Sequence, residues 1–272
     1  NFTERMSFTI KPMSKKRFYY LIKIQFLGFR FHGWQKQPNQ KTIHLMIDKT
    51  LNFILENIVF KTLGSGRTDA MVSANEAAIE LFIEDFPLQN LNSFLEDFNF
   101  NLPQDIRALS IQEVNSHFNI IQDVKEKEYH YVFAYGSKFH PFCAPLITTI
   151  LEPLNINLMK QGAKLFQGKH NFRTYSYKAN EKGNYKRDLS CCKIIGNTIY
   201  KANFFPKKSY LLKINGKGFG RHQIRLIMGA LIKLGKGEID LDYISKSLLV
   251  NSSKTMDYIA PASGLILHRV KF

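Results

Sequence analysis

Cysteine is scarce in this 272-residue chain, which has three, Cys143, Cys191 and Cys192. They show neither Cys-x-x-Cys spacing nor the density of a disulfide scaffold, which argues against a structural zinc site and fits a reducing cytoplasm. The eight histidines are scattered without metal-ligand spacing, so no metal is expected. No run of 18 apolar residues occurs, so no ordinary membrane-spanning helix is expected. A Gly-Lys-[Ser/Thr] phosphate loop is missing, which argues against ATP or GTP use, and so is the zinc deaminase signature. Acidic residues are the other shortage. Against 38 Lys and Arg there are 22 Asp and Glu, a formal net charge of +16. Spread among many aromatics, that excess marks a polyanion binder, with nucleic acid the leading partner and an anionic membrane a distant second.

The length allows one large domain or two small ones around a real core. Residues 1–17 carry Lys11, Lys15, Lys16 and Arg17 but no apolar h-region, and read as a flexible leader in which Met13 is a candidate start. From Phe18 to Phe26 apolar residues alternate, placing Phe18, Tyr20, Ile22, Ile24 and Phe26 on one face of a first strand. In the loop Gly28–Pro38, Phe29, Phe31 and Trp34 either stack on bases or, for Trp34, plug the core edge, while Arg30, Gln35, Lys36 and Gln37 are suited to phosphate or base edges. Thr42–Glu56 has helical spacing through Ile43, Ile47 and Leu51, with Asp48, Lys49 and Asn52 facing away.

Glu76–Glu84 alternates Ala77, Ile79, Leu81 and Ile83 with glutamates that read as a wet face. A helix over Leu88–Phe98 and a strand near Ala108–Val114 follow, and the pattern restarts around Phe118. Tyr129, Tyr131 and Phe133 share a strand face after the charged run Lys125–Glu128, and Asn155–Phe166 reads as a helix ended by Gly168. Lys169–Lys178 interleaves basic and aromatic residues and Asn180–Arg187 reads as a mobile basic loop, the two forming either a phosphate-contacting rim or a solvated charged loop. His222–Leu234 forms an apolar helical stripe closed by Gly235, with Arg221 and Arg225 near its start, where cations oppose the helix dipole. A turn and a last strand end the chain. Strands and helices without a regular βαβ rhythm predict an α+β fold with a mostly antiparallel sheet, in two sheet-and-helix units over 18–116 and 117–272.

The chain is organised around Leu63–Ala70, where Gly64 and Gly66 permit a tight loop that holds Asp69 beside Arg67. A surface turn with an Arg67–Asp69 ion pair is the plainer alternative. A lone Asp loop without a second carboxylate cluster argues against two-metal nuclease chemistry. What remains is metal-free chemistry on RNA, with Asp69 as nucleophile or base, an arginine beside it and an aromatic against the base.

Gly66-Arg67-Thr68-Asp69-Ala70-Met71-Val72-Ser73-Ala74 resembles the Gly-Arg-Thr-Asp-Ala-Gly-Val-His-Ala motif of the TruA family of tRNA pseudouridine synthases. Gly33-Trp34-Gln35-x-Gln37, Lys127-x-Tyr129-x-Tyr131, Gly168-x-His170-Asn171-Phe172, Phe219 with His222-Gln223-Ile224-Arg225, and Ala260-Pro261 through Leu267 resemble further motifs in family order. The resemblance implies a pseudouridine synthase-like fold with a basic cleft, and an isomerase without cofactor that detaches uracil at N1 and rejoins it through C5. It makes Asp69 the catalytic aspartate, acting by covalent addition or by removing a ribose proton. Tyr129 becomes the aromatic on the target uracil, Arg225 the partner that keeps Asp69 ionised, Leu265 a pocket wall and Arg67 the residue that displaces the target nucleotide. It further implies uridines at positions 38 to 40 of the tRNA anticodon arm and a homodimer; the cytoplasmic setting rests on the cysteine usage. The alternative is a tRNA-binding or folding module of the same fold with weakened catalysis. Met71, Ser73, Gly220 and Phe118-Asn119-Ile120-Ile121 depart from the family pattern, which bears more on substrate choice than on chemistry.

Overall fold

The alternating stretch at the start of the chain forms β1 (Arg17–Phe26) of a computed structural model that describes residues 16–252 and 254–272. The expected leader falls outside the described residues as far as position 15, and Arg17 belongs to β1, its guanidinium on Glu84. In chain order follow α1 (Ile43–Leu55), β2 (Phe60–Gly64), β3 (Ser73–Glu84), α2 (Leu91–Asn101), β4 (Ile106–Val114) and β5 (Glu126–Tyr135). Then come β6 (Thr148–Ile150), α3 (Ile156–Leu165), β7 (Gly168–Asn171), β8 (Lys186–Gly196), β9 (Tyr210–Gly216), α4 (Gln223–Lys236), α5 (Leu241–Ser247) and β10 (Leu265–Lys271). None of these helices is long and apolar enough to cross a membrane.

All ten strands belong to one sheet in the order β4-β1-β3-β10-β5-β9-β8-β7, with β2 against β3 and β6 against β5. Pairing is antiparallel except between β3 and β10 and between β5 and β6. The last strand therefore lies at the centre. Because β3 and β10 run parallel, with Ser73 opposite Ile266, the loops that lead into them emerge at the same end of the sheet.

Helices cover one face. Alternation sends Tyr20, Ile22 and Ile24 of β1, Ile79 and Leu81 of β3, and Tyr131 and Phe133 of β5 into the main core. Each such side chain contributes about 1.5–3 kcal/mol by leaving water. Helix α1 starts where the Thr42 hydroxyl accepts the Leu45 N–H, and buries Ile43, Ile47, Leu51 and Leu55. The opposite face is covered by connecting segments, with Ile120 over Leu21 and Ala78, and Cys143 and Ile147 over Val132, Leu211 and Ile266.

Two expectations about exposed acidic residues are corrected, the first by that second cover. Glu80 is buried at 1% exposure and accepts the Ile120 N–H, so the glutamates of β3 do not share a wet face. Asp48 does not face away: it accepts the Thr62 hydroxyl at 2.6 Å and pairs with Lys36. Two helix ends also differ. Gly235 lies inside α4 against Met159, and the helix closes at Gly237, whose φ of +77° suits glycine. Helix α3 closes at Phe166, leaving Gly168 to open β7 at φ +98°.

Candidate active site

The segments entering β3 and β10 meet the start of α4 at that shared end. Residues 28–34 form a shelf beneath the Asp69 loop: Trp34 N–H donates to the Thr68 carbonyl, Met71 N–H to Phe31, and Gly28 N–H to the Ser73 hydroxyl. Close approach is the reason for the glycines here. A Cβ at Gly28 would lie 1.9 Å from the Val72 carbonyl oxygen, and one at Gly33, φ +84°, 2.7 Å from that of Thr68. Trp34 is the buried brace of this shelf, its ring stacked on His44 and filling the space beside Gly64. Phe31 is buried too, Arg30 pairs with Asp105, and Lys36 with Asp48, so these residues are engaged by the protein instead of facing bases or phosphates.

A cleft of about 1220 Å³ opens above the shelf, and Arg67, Asp69, Tyr129, Arg225 and Leu265 all line it. Asp69 does not pair with Arg67. Its Oδ2 accepts from Arg225 Nη1 at 3.1 Å, while its Oδ1 lies 3.4 Å from His222 Nε2. Arg225 is itself aimed, since its Nε donates to the Ala260 carbonyl at 2.8 Å and its own carbonyl accepts the Ala260 N–H. Gly229, one turn on, lets α4 lie against the backbone of Tyr258. Arg221 precedes the helix and is exposed, its guanidinium over the Tyr177 ring, so it does not share a helical face with Arg225. Arg67 is exposed on the cleft wall.

Tyr129 sits on β5 opposite Leu267, 8% exposed, with its ring edge-on to Phe219. Burial first, and the Asp69 charge second, raise its phenol well above the ordinary tyrosine range. Leu265 heads β10 behind it, where the Tyr131 hydroxyl holds the Pro261 carbonyl at 2.7 Å. Lys127 reaches from β5 to the Ser65 carbonyl at 2.7 Å, and burial pushes its ammonium below the usual lysine range. His222 is pushed down as well, by burial first, with Asp69 acting the other way and Arg225 and Arg221 adding to the lowering.

Two of the family departures have structural counterparts. Met71 stands at φ +66°, the left-handed region that a glycine would enter without strain, and Ser73 supplies the hydroxyl that ties the loop to Gly28. His222 and Lys127 line the cleft as well, and the sequence assigned neither of them a role. His222 precedes α4 in a left-handed conformation at φ +56°, so helical spacing in the sequence does not signal it.

A second cluster lies on the other face of β5. Glu128, His130 and His268 bring ligand-type atoms within 4.8 Å of one another, a grouping invisible to sequence spacing because His268 comes from β10. Hydrogen bonds already occupy these groups: Lys213 Nζ and His130 Nε2 bond to Glu128 Oε1 at 2.7 and 2.9 Å, and the Tyr200 hydroxyl meets His130 Nδ1 at 3.0 Å.

Comparison with known proteins identifies relatives of the chain. The sequence profile of a tRNA pseudouridine synthase family matches residues 163–272. The chain is 32% identical to tRNA pseudouridine synthase A of Thermosipho melanesiensis, over 94% of this chain and 100% of the relative. It is 33% identical to tRNA pseudouridine synthase A of Mesoplasma florum over 94% and 99%, and 30% identical to that of Pseudothermotoga lettingae over 94% and 100%. With relatives matched from end to end, and its own Asp69, Tyr129 and Arg225 on one cleft, the chain belongs to the tRNA pseudouridine synthase family.

Proposed function

We propose that this protein is an isomerase converting uridine to pseudouridine in tRNA, without cofactor and with Asp69 as its catalytic carboxylate. The observation that carries this is convergence: the Asp69 loop, Tyr129 of β5, Arg225 of α4 and Leu265 of β10 meet on one cleft. The unit 18–116 contributes the Asp69 loop and the unit 117–272 the rest. Arg67, Lys127, Arg221 and Arg225 against the single carboxylate of Asp69 make that cleft basic, suited to a phosphate backbone.

A base inside a stem must leave its stack to react, and Arg67 on the exposed wall assists that displacement. Tyr129 receives the uracil against its ring and Leu265 closes the pocket. The N1–C1′ bond breaks, the uracil turns, and C5 bonds to C1′. C5 loses a proton and N1 gains one, so atoms and electrons balance as an isomerisation. Asp69 acts as nucleophile on the nucleotide or as base toward the ribose, and Arg225 aims the carboxylate for either role. The target is the anticodon arm at uridines 38 to 40, bound by a homodimer in the cytoplasm.

The test is incubation of the protein with unmodified tRNA and mapping of pseudouridine along the strand, beside Asp69→Asn. Pseudouridine is expected in the anticodon arm. Asp69→Asn should lower the rate by at least about 10³-fold while tRNA binding persists. Tight tRNA binding without any pseudouridine would instead favour a folding or binding module.

A further inference from the structure

Asp69 has two carboxylate oxygens, and only Oδ2 is explained by Arg225. The other faces an imidazole that the backbone holds at a cost. His222 has φ +56°, a conformation uncommon outside glycine, and caps α4 without a side-chain hydrogen bond to it. Its ring lies 4.6 Å from that of Tyr177, whose N–H donates to the Arg221 carbonyl. Its Nδ1 is buried and, among the described residues, without a hydrogen-bond partner. Strained backbone and unspent polar capacity gather at functional positions. We infer that His222 is a positioning residue for the reaction, its Nε2–H holding Asp69 Oδ1 while Arg225 holds Oδ2. This inference rests on Asp69 being the catalytic carboxylate.

At 3.4 Å the Nε2–Oδ1 contact is longer than an ordinary N–H···O bond, as catalytic contacts often are before substrate binds. The groups facing the ring are Asp69, Arg225, Arg221 and Tyr177, with Lys178 on the far side of Tyr177. With its proton affinity lowered, the ring is neutral at pH 7, donating from Nε2 and leaving Nδ1 as the unpaired acceptor. In acid it takes a second proton on Nδ1 and becomes a cation beside Asp69, which draws the carboxylate away from the substrate.

The experiment measures kcat for pseudouridine formation on unmodified tRNA against pH, with tRNA affinity and thermal unfolding, for the native protein, His222→Asn, His222→Gln and Asp69→Asn. Asparagine tolerates positive φ but is too short to reach Oδ1, so His222→Asn should lose roughly ten-fold in kcat with tRNA affinity within about two-fold. Glutamine places an amide N–H near the Nε2 position, so His222→Gln should recover most of that loss and lack the acid fall in kcat of the native protein. Native kcat in His222→Asn, an unchanged acid limb in His222→Gln, or equal loss in both would overturn the inference. Asp69→Asn separates the two levels. An active Asp69→Asn removes the catalytic reading itself, whereas an inactive one beside native-like His222 variants removes only the role of His222.

Discussion

Two charged clusters lie back to back on β5, and they differ in what they have left to give. Behind the strand, Glu128, His130, Lys213, Tyr200, Asn75 and His268 form a closed network in which Asn75 bonds both the Tyr200 hydroxyl and His268 Nδ1, and the two histidine rings stack at 4.1 Å. Beside it Asn215, which donates to Glu128, leaves its Oδ1 without a partner among the described residues. In front, the wall of the cleft leaves Thr68 Oγ1, His222 Nδ1 and Gln223 Nε2 buried and, among the described residues, without partners around Asp69. Ionisable groups alone do not mark a site, because structural networks gather them equally well. Unspent hydrogen-bonding capacity on an accessible wall does separate the two.

The comparison breaks most visibly at Arg225. Arg225→Met removes both the Asp69 contact and the Ala260 anchor, and should lower kcat by about 10²-fold or more, within the range of losing one preorganised donor. A rate within a few-fold of native would place the arginine outside the working site. Tyr129 tests the same wall more gently. Tyr129→Ala should lose at least ~1–3 kcal/mol of base contact, read as kcat/KM, whereas Tyr129→Phe keeps the ring and most of the activity. Equal activity in the two variants would take Tyr129 out of the pocket.

On the closed side the expected effect is on stability, not rate. Glu128→Gln should cost about 1–3 kcal/mol in urea unfolding and leave kcat of the folded protein within about two-fold. Burial opposes ionisation of Glu128, yet Lys213 and His130 hold its carboxyl down at about 2, while burial lowers His130 to about 4 despite Glu128. Both values lie below the ordinary 4.5 and 6.5, so the unfolded chain binds more protons in acid and stability falls as pH falls. The His130 contribution is lost from about 6.5 down to about 4, and that of Glu128 from about 4.5 down to about 2. Glu128→Gln should flatten the lower window. A native-like acid profile in that variant would mean that the network is not what acid breaks.

Much of the fold was legible where alternation or helical spacing is sustained, as in β1 and α1, because period alone assigns the core face. The short elements β2, β6 and α5 left too little period to read. Alternation also says which residues share a face without saying whether that face is wet. Glu80 was misread for that reason, since Ile120 covers it from a segment 40 residues away. Trp34 was decided by the bare backbone of Gly64: a Cβ there would come within 2.5 Å of the indole, a tertiary fit no local pattern encodes. For the site, spacing identified the Asp69 loop, and the resemblance supplied the tyrosine and arginine that the structure places on the same cleft. His222 escaped because its distinguishing marks, a positive φ and a buried ring nitrogen without a partner among the described residues, exist only once the chain is folded.

The smallest effect expected is at Met71, in the loop that carries Asp69. Its φ of +66° costs a side-chain-bearing residue roughly 1–2 kcal/mol, and part of that is offset because glycine has more backbone freedom to lose on folding. Met71→Gly should therefore stabilise the protein by about 1 kcal/mol or less. The loop itself is pinned by Trp34 N–H on Thr68, by Met71 N–H on Phe31 and by Gly28 N–H on Ser73, none of which needs the methionine side chain. Asp69 should keep its place and kcat should stay within about two-fold of native. A large gain in rate on Met71→Gly would show that the strained methionine holds the carboxylate off its best position. A loss would show that the half-exposed thioether, on the cleft wall, touches the RNA.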